Sequence, residues 1–559
     1  MFAVRPLTAL LLAAAVCAAP PAAAKGPAVK AAKLTPEPAT LHSLGVRWIV
    51  QDDDNGNATV AVAYRAAGET AWREALPLFR TSRVHLSPEN QPQGTQFAGS
   101  VVELKPGTRY EVRLTLADPD GGGETRTLEM ETRAEPVLPP PARTVQVRPD
   151  GAAAAIAAAR PGDALVFAPG TYRLPGVVPP SGAPGQPIVF RAAPGGPVVF
   201  DGGGAEYGVN ATGGRHLWFE GITFRNARRL VRLNNASEIV FRHNTFEVTL
   251  LGINGEGAVH DESVGIFVLD NTFTGNATWP RSKGIEQVYA VNLTGSGHVV
   301  AYNRMTNVGD AVHNGSNGRI SASDYHNNDV MVCTDDGIET DHAETNIRVF
   351  RNRITNCFAG ISFQPVFGGP VYVWRNVIFN TEYTPFKLHN QPSGVLLFHN
   401  TTARRGSPFV IQPGGDPVSD VVTRNNLFVG SGSPAIVARD AMIRTDFDND
   451  GYAWGLGGFA DWVGRAYPSP LAAKQSGQLY AKFGAISLQP GRDTGIKAPA
   501  DPGRRFEVTD YDPRLSPGAR AIDRGVRIPN FNDTFSGAAP DLGCCELGEP
   551  LPHYGPRDR

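Results

Sequence analysis

Asn328-Asp329-Val330, Asn352-Arg353-Ile354, Asn376-Val377-Ile378 and Asn400-Thr401-Thr402 are one motif repeated every 24 residues. Working outward, the same unit of Asn, any residue, then usually an apolar residue occurs at Asn303-Arg304-Met305, Asn271-Thr272-Phe273 and Asn244-Thr245-Phe246. It also follows at Asn426-Leu427-Phe428. From Asn244 to Asn426 the spacings are 27, 32, 25, 24, 24, 24 and 26. A period in this range marks a solenoid. Each repeat holds two or three short alternating apolar runs and no room for a helix, which excludes leucine-rich and helical solenoids. The architecture is a right-handed parallel β-helix, expected over 144–548. In it the repeated Asn is expected to take the left-handed conformation of a tight turn and to hydrogen-bond up and down the stack. Cys333 and Cys357 differ by one period and are expected to lie on neighbouring turns as a buried cysteine ladder, with a disulfide as the alternative.

The flanks of the repeat have their own texture. Residues 1–24 read as a signal peptide: Arg5 is the basic start, Leu7 to Ala15 the apolar run, and Ala22-Ala23-Ala24 the small residues before cleavage. The apolar run is too short to span a bilayer, and no later stretch has about 18 consecutive apolar residues. Cys17 is expected to leave with that segment. The mature chain is expected in the periplasm or outside the cell, as a monomer without membrane insertion. A net charge of −2 gives nucleic-acid binding no support. Gly 62 and Pro 46 suit short strands and turns.

Residues 33–134 alternate strands with Gly, Asp and Pro turns and resemble a fibronectin type III domain. Leu104-Lys105-Pro106-Gly107-Thr108-Arg109-Tyr110 is similar to the tyrosine corner of such sandwiches, in which the Tyr110 hydroxyl bonds back to the backbone. The domain is expected to act as a spacer or packing module. Residues 135–143 form a proline-rich linker, Ala152 to Ala159 a short helix capping the open end of the stack, and 549–559 a tail. Ser516-Pro517-Gly518 and Pro540-Asp541-Leu542-Gly543 are expected in a closing cap at the other end.

Aligning turns by their period predicts the columns. Val312, Ile338, Ile361 and Phe386 should point inward, and His313, Glu339, Ser362 and Lys387 should share the outward column beside them. Two positions on stand Gly315, Asp341, Gln364 and His389. Asp310 aligns with Asp336, next to Asp335. The result is a carboxylate patch of Asp310, Asp335, Asp336, Glu339 and Asp341, with Lys387 close by. Such a patch repels itself and suits a hard cation, Ca²⁺ above all. Arg348 and Arg351 are taken as solvated outer-face residues.

Thr334-Asp335-Asp336-Gly337-Ile338-Glu339, with Asp310 upstream, resembles the calcium site of polysaccharide lyase family 9 in the pectate-lyase-like superfamily. Glu339 stands where that family usually has Asp. Pro385-Phe386-Lys387-Leu388 is similar to its Gly-Phe-Lys-Leu-Gly-Gly segment, with His389-Asn390 in place of Gly-Gly. The resemblance implies a Ca²⁺ ligand set of Asp310, Asp335, Asp336 and Glu339, an acidic polysaccharide substrate, and β-elimination with Lys387 as base. His313 and His389 are candidates for leaving-group protonation or sugar contacts. Glycoside hydrolase family 28 also sets an Asp one turn before an Asp pair, which keeps a hydrolase reading open, although its Gly-His-Gly and Arg-Ile-Lys segments have no counterpart here. A non-catalytic glycan-binding or adhesin solenoid is the third reading. Specificity is expected in the loops Gly275 to Lys283 and Gly315 to Asp324.

Overall fold

A computed structural model describes residues 26–81, 94–255, 263–315, 319–411 and 414–558. The expected signal peptide, with Cys17, lies outside them, as does part of the second expected loop. The chain forms a small antiparallel sandwich followed by a long parallel β-solenoid.

The sandwich packs two four-stranded sheets over a core that includes Trp48, Val60, Phe97 and Leu114. Alternation produces it: in Arg109–Ala117 the residues Tyr110, Val112, Leu114 and Leu116 are buried while their neighbours face outward. Tyr110 makes the expected corner, its hydroxyl accepting from Lys105 N at 3.0 Å.

The solenoid starts at Arg143–Val147, which pairs in parallel with Asp163–Phe167. The helix Ala152–Ala157 caps this end with Ala152 and Ile156 buried. Two long parallel sheets follow, and a third smaller one begins at Phe409–Ile411. Inside, Phe219 stacks on Phe241 and Phe246 on Phe273, at 5.1 and 4.5 Å between ring centroids. Like residues recur at like positions, so each turn presents the next with a matching surface.

The asparagine ladder is continuous. Each Nδ2 from Asn244 through Asn271, Asn303, Asn328, Asn352, Asn376 and Asn400 donates to the Oδ1 of the next Asn at 2.9–3.1 Å. Asn426 ends the run on Asp450 at 2.8 Å. The expected left-handed conformation falls one residue earlier than expected. His243, Asp270, Tyr302, Asn327, Arg351, Arg375, His399 and Asn425 carry φ between 52° and 59°. The backbone turns before the Asn, and the turn delivers the amide into the stack. A second left-handed column, Asn307, Val332, Asn356 and Asn380, marks the next corner. Immediately after it Cys333 and Cys357 pair in register and form a disulfide. The ladder of free thiols is thus corrected: a 4.5 Å Cα separation lies at the short end of the range a disulfide can bridge.

Two further expectations change. The closing segment is a strap along the solenoid, packing Phe506, Leu515, Ala521 and Leu542 on its outer face, while the helix Pro470–Gln475 turns Ala473 into the solenoid core. The strap satisfies corner amides: Phe506 exchanges bonds with Asn356, Val526 O accepts from Asn425, Arg524 O from Asn449 and His553 O from Asn327. Arg557 in the tail reaches Glu135 and Asp270. Arg348 is not solvated but wholly buried. It pairs with Asp324, which also accepts from Thr40 Oγ1 at 2.6 Å, while Arg348 Nη1 donates to Ser100 Oγ at 3.0 Å. Glu37 accepts from Thr345 and Asn346 at 2.7 and 2.6 Å. Arg351 pairs with Glu103, which also accepts from Trp374 Nε1 at 2.8 Å. The sandwich is therefore docked through a buried polar seam on one long sheet. The carboxylate patch lies on the other.

Candidate active site

The register agrees with the alignment made from the sequence. Val312 pairs with Ile338, Ile338 with Ile361 and Ile361 with Phe386, and all four are buried. Beside them Glu339 pairs with Ser362 and Ser362 with Lys387. The strands are Asp310–Asn314, Asp329–Glu339, Arg353–Phe363 and Val377–Leu388.

The register slips by one residue between Cys333 and Asp336, at the corner the disulfide anchors. Asp335 sits in that irregularity, and such a bulge re-aims a side chain. Its N–H donates to Gly309 O at 3.0 Å, and the Asp336 N–H donates to Asp310 Oδ1 at 2.8 Å. These bonds bring three carboxylates together. Gly337 lets the turns close: a Cβ there would stand 2.7 Å from both Gly360 O and Ile354 Cγ2.

Among the described residues two triplets offer ligand atoms within 4.8 Å of one another: Asp310, Asp335 and Asp336, and Asp310, His313 and Glu339. The four expected ligands thus divide into two groups that share Asp310. Glu339 approaches His313 Nε2 at 3.2 Å, and Tyr289 stacks on the His313 ring at 4.6 Å. Asp341 is held by Ser362 Oγ and Gln364 N at 2.8 and 2.7 Å. Lys387 Nζ lies 2.7 Å from Asp336 Oδ2 and 3.8 Å from Asp335 Oδ1.

The carboxylates cannot all ionise at ordinary pH. Burial, then Asp335 and Asp336, raise the Asp310 pKa well above the usual range. Burial, then Asp310, Asp341 and Asp336, do the same to Glu339. Asp335 is pushed up to about 6 by burial and by Asp336, and Asp341 to about 7 by the same two causes. For Lys387, burial opposes the charge, but Asp336, Asp335 and Asp341 outweigh it and hold its pKa above the ordinary value. This direction is opposite to the lowered pKa expected of a base, because its nearest neighbours are anions.

His389 stands apart. No hydrogen bond or ion pair joins it to the carboxylates among the described residues, and its ring packs at Gly414, where a Cβ would lie 2.6 Å from it. Sequence reasoning missed Tyr289, although extending the column back one turn finds it: Tyr289 pairs with Asp310 and Asn292 with His313. It also missed Arg281, whose loop has no periodicity to follow.

The fold and this cluster define the chain as a parallel β-helix protein with a carboxylate and lysine site on one long sheet. No protein-family model matches the chain, and no curated protein matches it. Solved structures similar to it include the alginate lyase of Paenibacillus sp. strain FPU-7, at 15% identity and TM-score 0.30, covering 54% of this chain and 99% of that one. The family 28 exopolygalacturonase of Yersinia enterocolitica is similar at 11% identity and TM-score 0.29, covering 75% and 96%. The catalytic domain of a GH87 α-1,3-glucanase in complex with nigerose gives 12%, 0.26, 75% and 89%. Likenesses this distant transfer no activity.

Proposed function

We propose that the chain is an exported, Ca²⁺-dependent lyase that cleaves a uronate-containing polysaccharide by β-elimination. The observation that carries the reading is the contact of Lys387 Nζ with Asp336 and Asp335 inside a group of buried carboxylates. The residues fit a hard cation. Asp336 Oδ1 is buried without a hydrogen-bond partner among the described residues, and several carboxyl groups crowd around a single ammonium. Asp310, Asp335 and Asp336 would hold the ion, with Glu339 beside them. A hard cation held there would supply charge neutralisation of a uronate carboxylate, which would acidify the adjacent C5 proton. With the charge of Asp335 and Asp336 compensated, the attraction that keeps Lys387 protonated would weaken, and Nζ would be the group placed to accept that proton. His313, oriented by Glu339 and Tyr289, stands on the neighbouring turn to protonate the leaving oxygen. We read the N-terminal sandwich as fibronectin type III-like and as a packing module, in line with its buried seam.

A hydrolase is the second reading, favoured by Asp335 near 6 and Asp341 near 7, either of which could serve as a general acid. The spacing of Asp310, Asp335 and Asp336, with oxygens within 4.8 Å of one another, is closer than the roughly 6.5–9.5 Å of an inverting pair, so inversion through two of these three is disfavoured. Incubation with pectate, alginate and other polyuronates decides the matter. A calcium-dependent rise in the ultraviolet absorbance of unsaturated uronate is expected. New reducing ends without that absorbance identify a hydrolase, and binding without either product identifies a glycan-binding solenoid.

A further inference from the structure

Arg281 lies in the chain between Thr272–Thr274 and Tyr289–Leu293, the loop expected to carry specificity. Its guanidinium centre stands 3.6 Å over the Phe358 ring. Phe358 stacks on Tyr383 of the next turn, 4.8 Å away and 8° from parallel. Both faces of Phe358 are therefore covered, so the stack is a pillar that fixes a guanidinium and not a flat platform for a sugar ring. Two bonds fasten the loop to the residue just before Asp335: Arg281 Nη1 donates to Thr334 O and Glu286 N donates to Thr334 Oγ1, each at 3.1 Å.

A guanidinium has five N–H donors in a plane. The structure gives Arg281 a carbonyl for one of them, and no carboxylate pairs with it among the described residues. A half-buried, pre-oriented guanidinium with no close ion pair among the described residues, within electrostatic reach of Asp335, suits a planar anion presented bidentately.

We propose that Arg281 is a subsite for the carboxylate of the sugar next to the one that gives up its proton at Lys387. This rests on the polyuronate lyase reading and narrows it: the substrate carries acidic units in succession, not one uronate alternating with a neutral sugar. Phe358 and Tyr383 act as positioning residues for the guanidinium.

The test compares wild type, Arg281→Gln, Arg281→Lys and Phe358→Leu on a homopolymeric polyuronate and on the same polymer with most carboxylates esterified. Arg281→Gln is expected to raise KM by about tenfold or more while kcat changes less than about threefold, the size of a lost charge-assisted bond. Arg281→Lys should recover part of the loss, Phe358→Leu should raise KM in the same direction, and wild type and Arg281→Gln should converge on the esterified polymer. An unchanged KM in Arg281→Gln, with unfolding temperature also unchanged, overturns the subsite. Calorimetric binding of a uronate oligosaccharide to Lys387→Ala, with and without Arg281→Gln, separates the two ideas. Arg281-dependent binding by a protein whose wild type yields no unsaturated product keeps the subsite and discards the lyase. Binding that ignores Arg281 discards the subsite alone.

Discussion

Lys387 and Asp336 are 51 residues apart in the chain and meet at 2.7 Å between Nζ and Oδ2, with the Asp336 side chain fully buried. The pair lies across two turns of the solenoid and ties the carboxylate cluster to an ammonium. Lys387→Ala should lower kcat on a polyuronate by about 10²–10⁴, the usual contribution of a positioned base. Without a cation it should also destabilise the fold by about 3–5 kcal/mol, because a buried carboxylate loses its partner. Urea unfolding in a chelator and steady-state kinetics in Ca²⁺ measure the two effects separately.

A cation that binds the folded cluster stabilises it by mass action. At a hundredfold excess over its dissociation constant the gain is about 2.7 kcal/mol. Calcium should raise the unfolding temperature of the wild type and leave that of Asp336→Asn nearly unmoved. An equal rise in both proteins, read by differential scanning calorimetry, would place the bound ion elsewhere.

The pH dependence follows from the raised carboxyl pKa values. Asp335 titrates near 6 and Asp341 near 7 in the fold, against about 3.9 when unfolded. Between these values the folded state binds more protons than the unfolded one, so their contribution to stability is fully present below about pH 4 and is lost as pH rises through 6 to 7. Compared with wild type in a chelator, Asp341→Asn should lose stability less steeply between pH 4 and 7. Calcium should flatten the wild-type curve as well. A wild type and a variant with parallel curves would show that Asp341 is ionised in the fold.

Much of this was legible in the sequence because a solenoid repeats its own evidence. The 24-residue interval gives the register, and the register alone assembles Asp310, Asp336, Glu339 and Lys387 on one face. What depends on contacts across the period was not legible. Arg348 looks like an outer-face residue in its own turn, and its burial comes from Thr40 and Ser100 of a domain about 250–300 residues earlier. The direction of the Lys387 shift needed the 2.7 Å contact, which spacing along columns about 4.8 Å apart cannot supply. The closing segment has no period, so its path along the corner asparagines could not be read.

The buried seam between sandwich and solenoid gives a fourth prediction. Asp324 and Arg348 are both fully buried, and Thr40, Ser43 and Ser100 from the sandwich add hydrogen bonds to the pair, leaving Arg348 Nη2 without a hydrogen-bond partner among the described residues. Asp324→Ala leaves a buried guanidinium unpaired and should cost about 3–5 kcal/mol. The double change to a well-packed apolar pair should cost far less than the single one. Chemical denaturation should show sandwich and solenoid unfolding together in wild type, and two separate transitions in Asp324→Ala would locate the loss at the seam.

The last prediction concerns a flaw in the second corner column. Val332 is left-handed at φ 66° among Asn307, Asn356 and Asn380, and a β-branched residue there is strained by about 1–3 kcal/mol. In the neighbouring turns Asn380 Nδ2 donates back to Asn356 Oδ1 at 2.8 Å. The equivalent acceptor one turn earlier, Asn307 Oδ1, is buried with no partner among the described residues. Val332→Asn relieves the backbone and offers that acceptor a donor. The lost valine burial, about 1.5–3 kcal/mol, opposes the gain. The column geometry favours the bond, because the same amide-to-amide step is already made between Asn380 and Asn356. Val332→Asn should therefore match or exceed wild-type stability, whereas Val332→Ala, which loses the same packing and gains no bond, should fall below both. Urea midpoints of the three proteins give the order, and a Val332→Asn protein no better than Val332→Ala would refute the ladder argument.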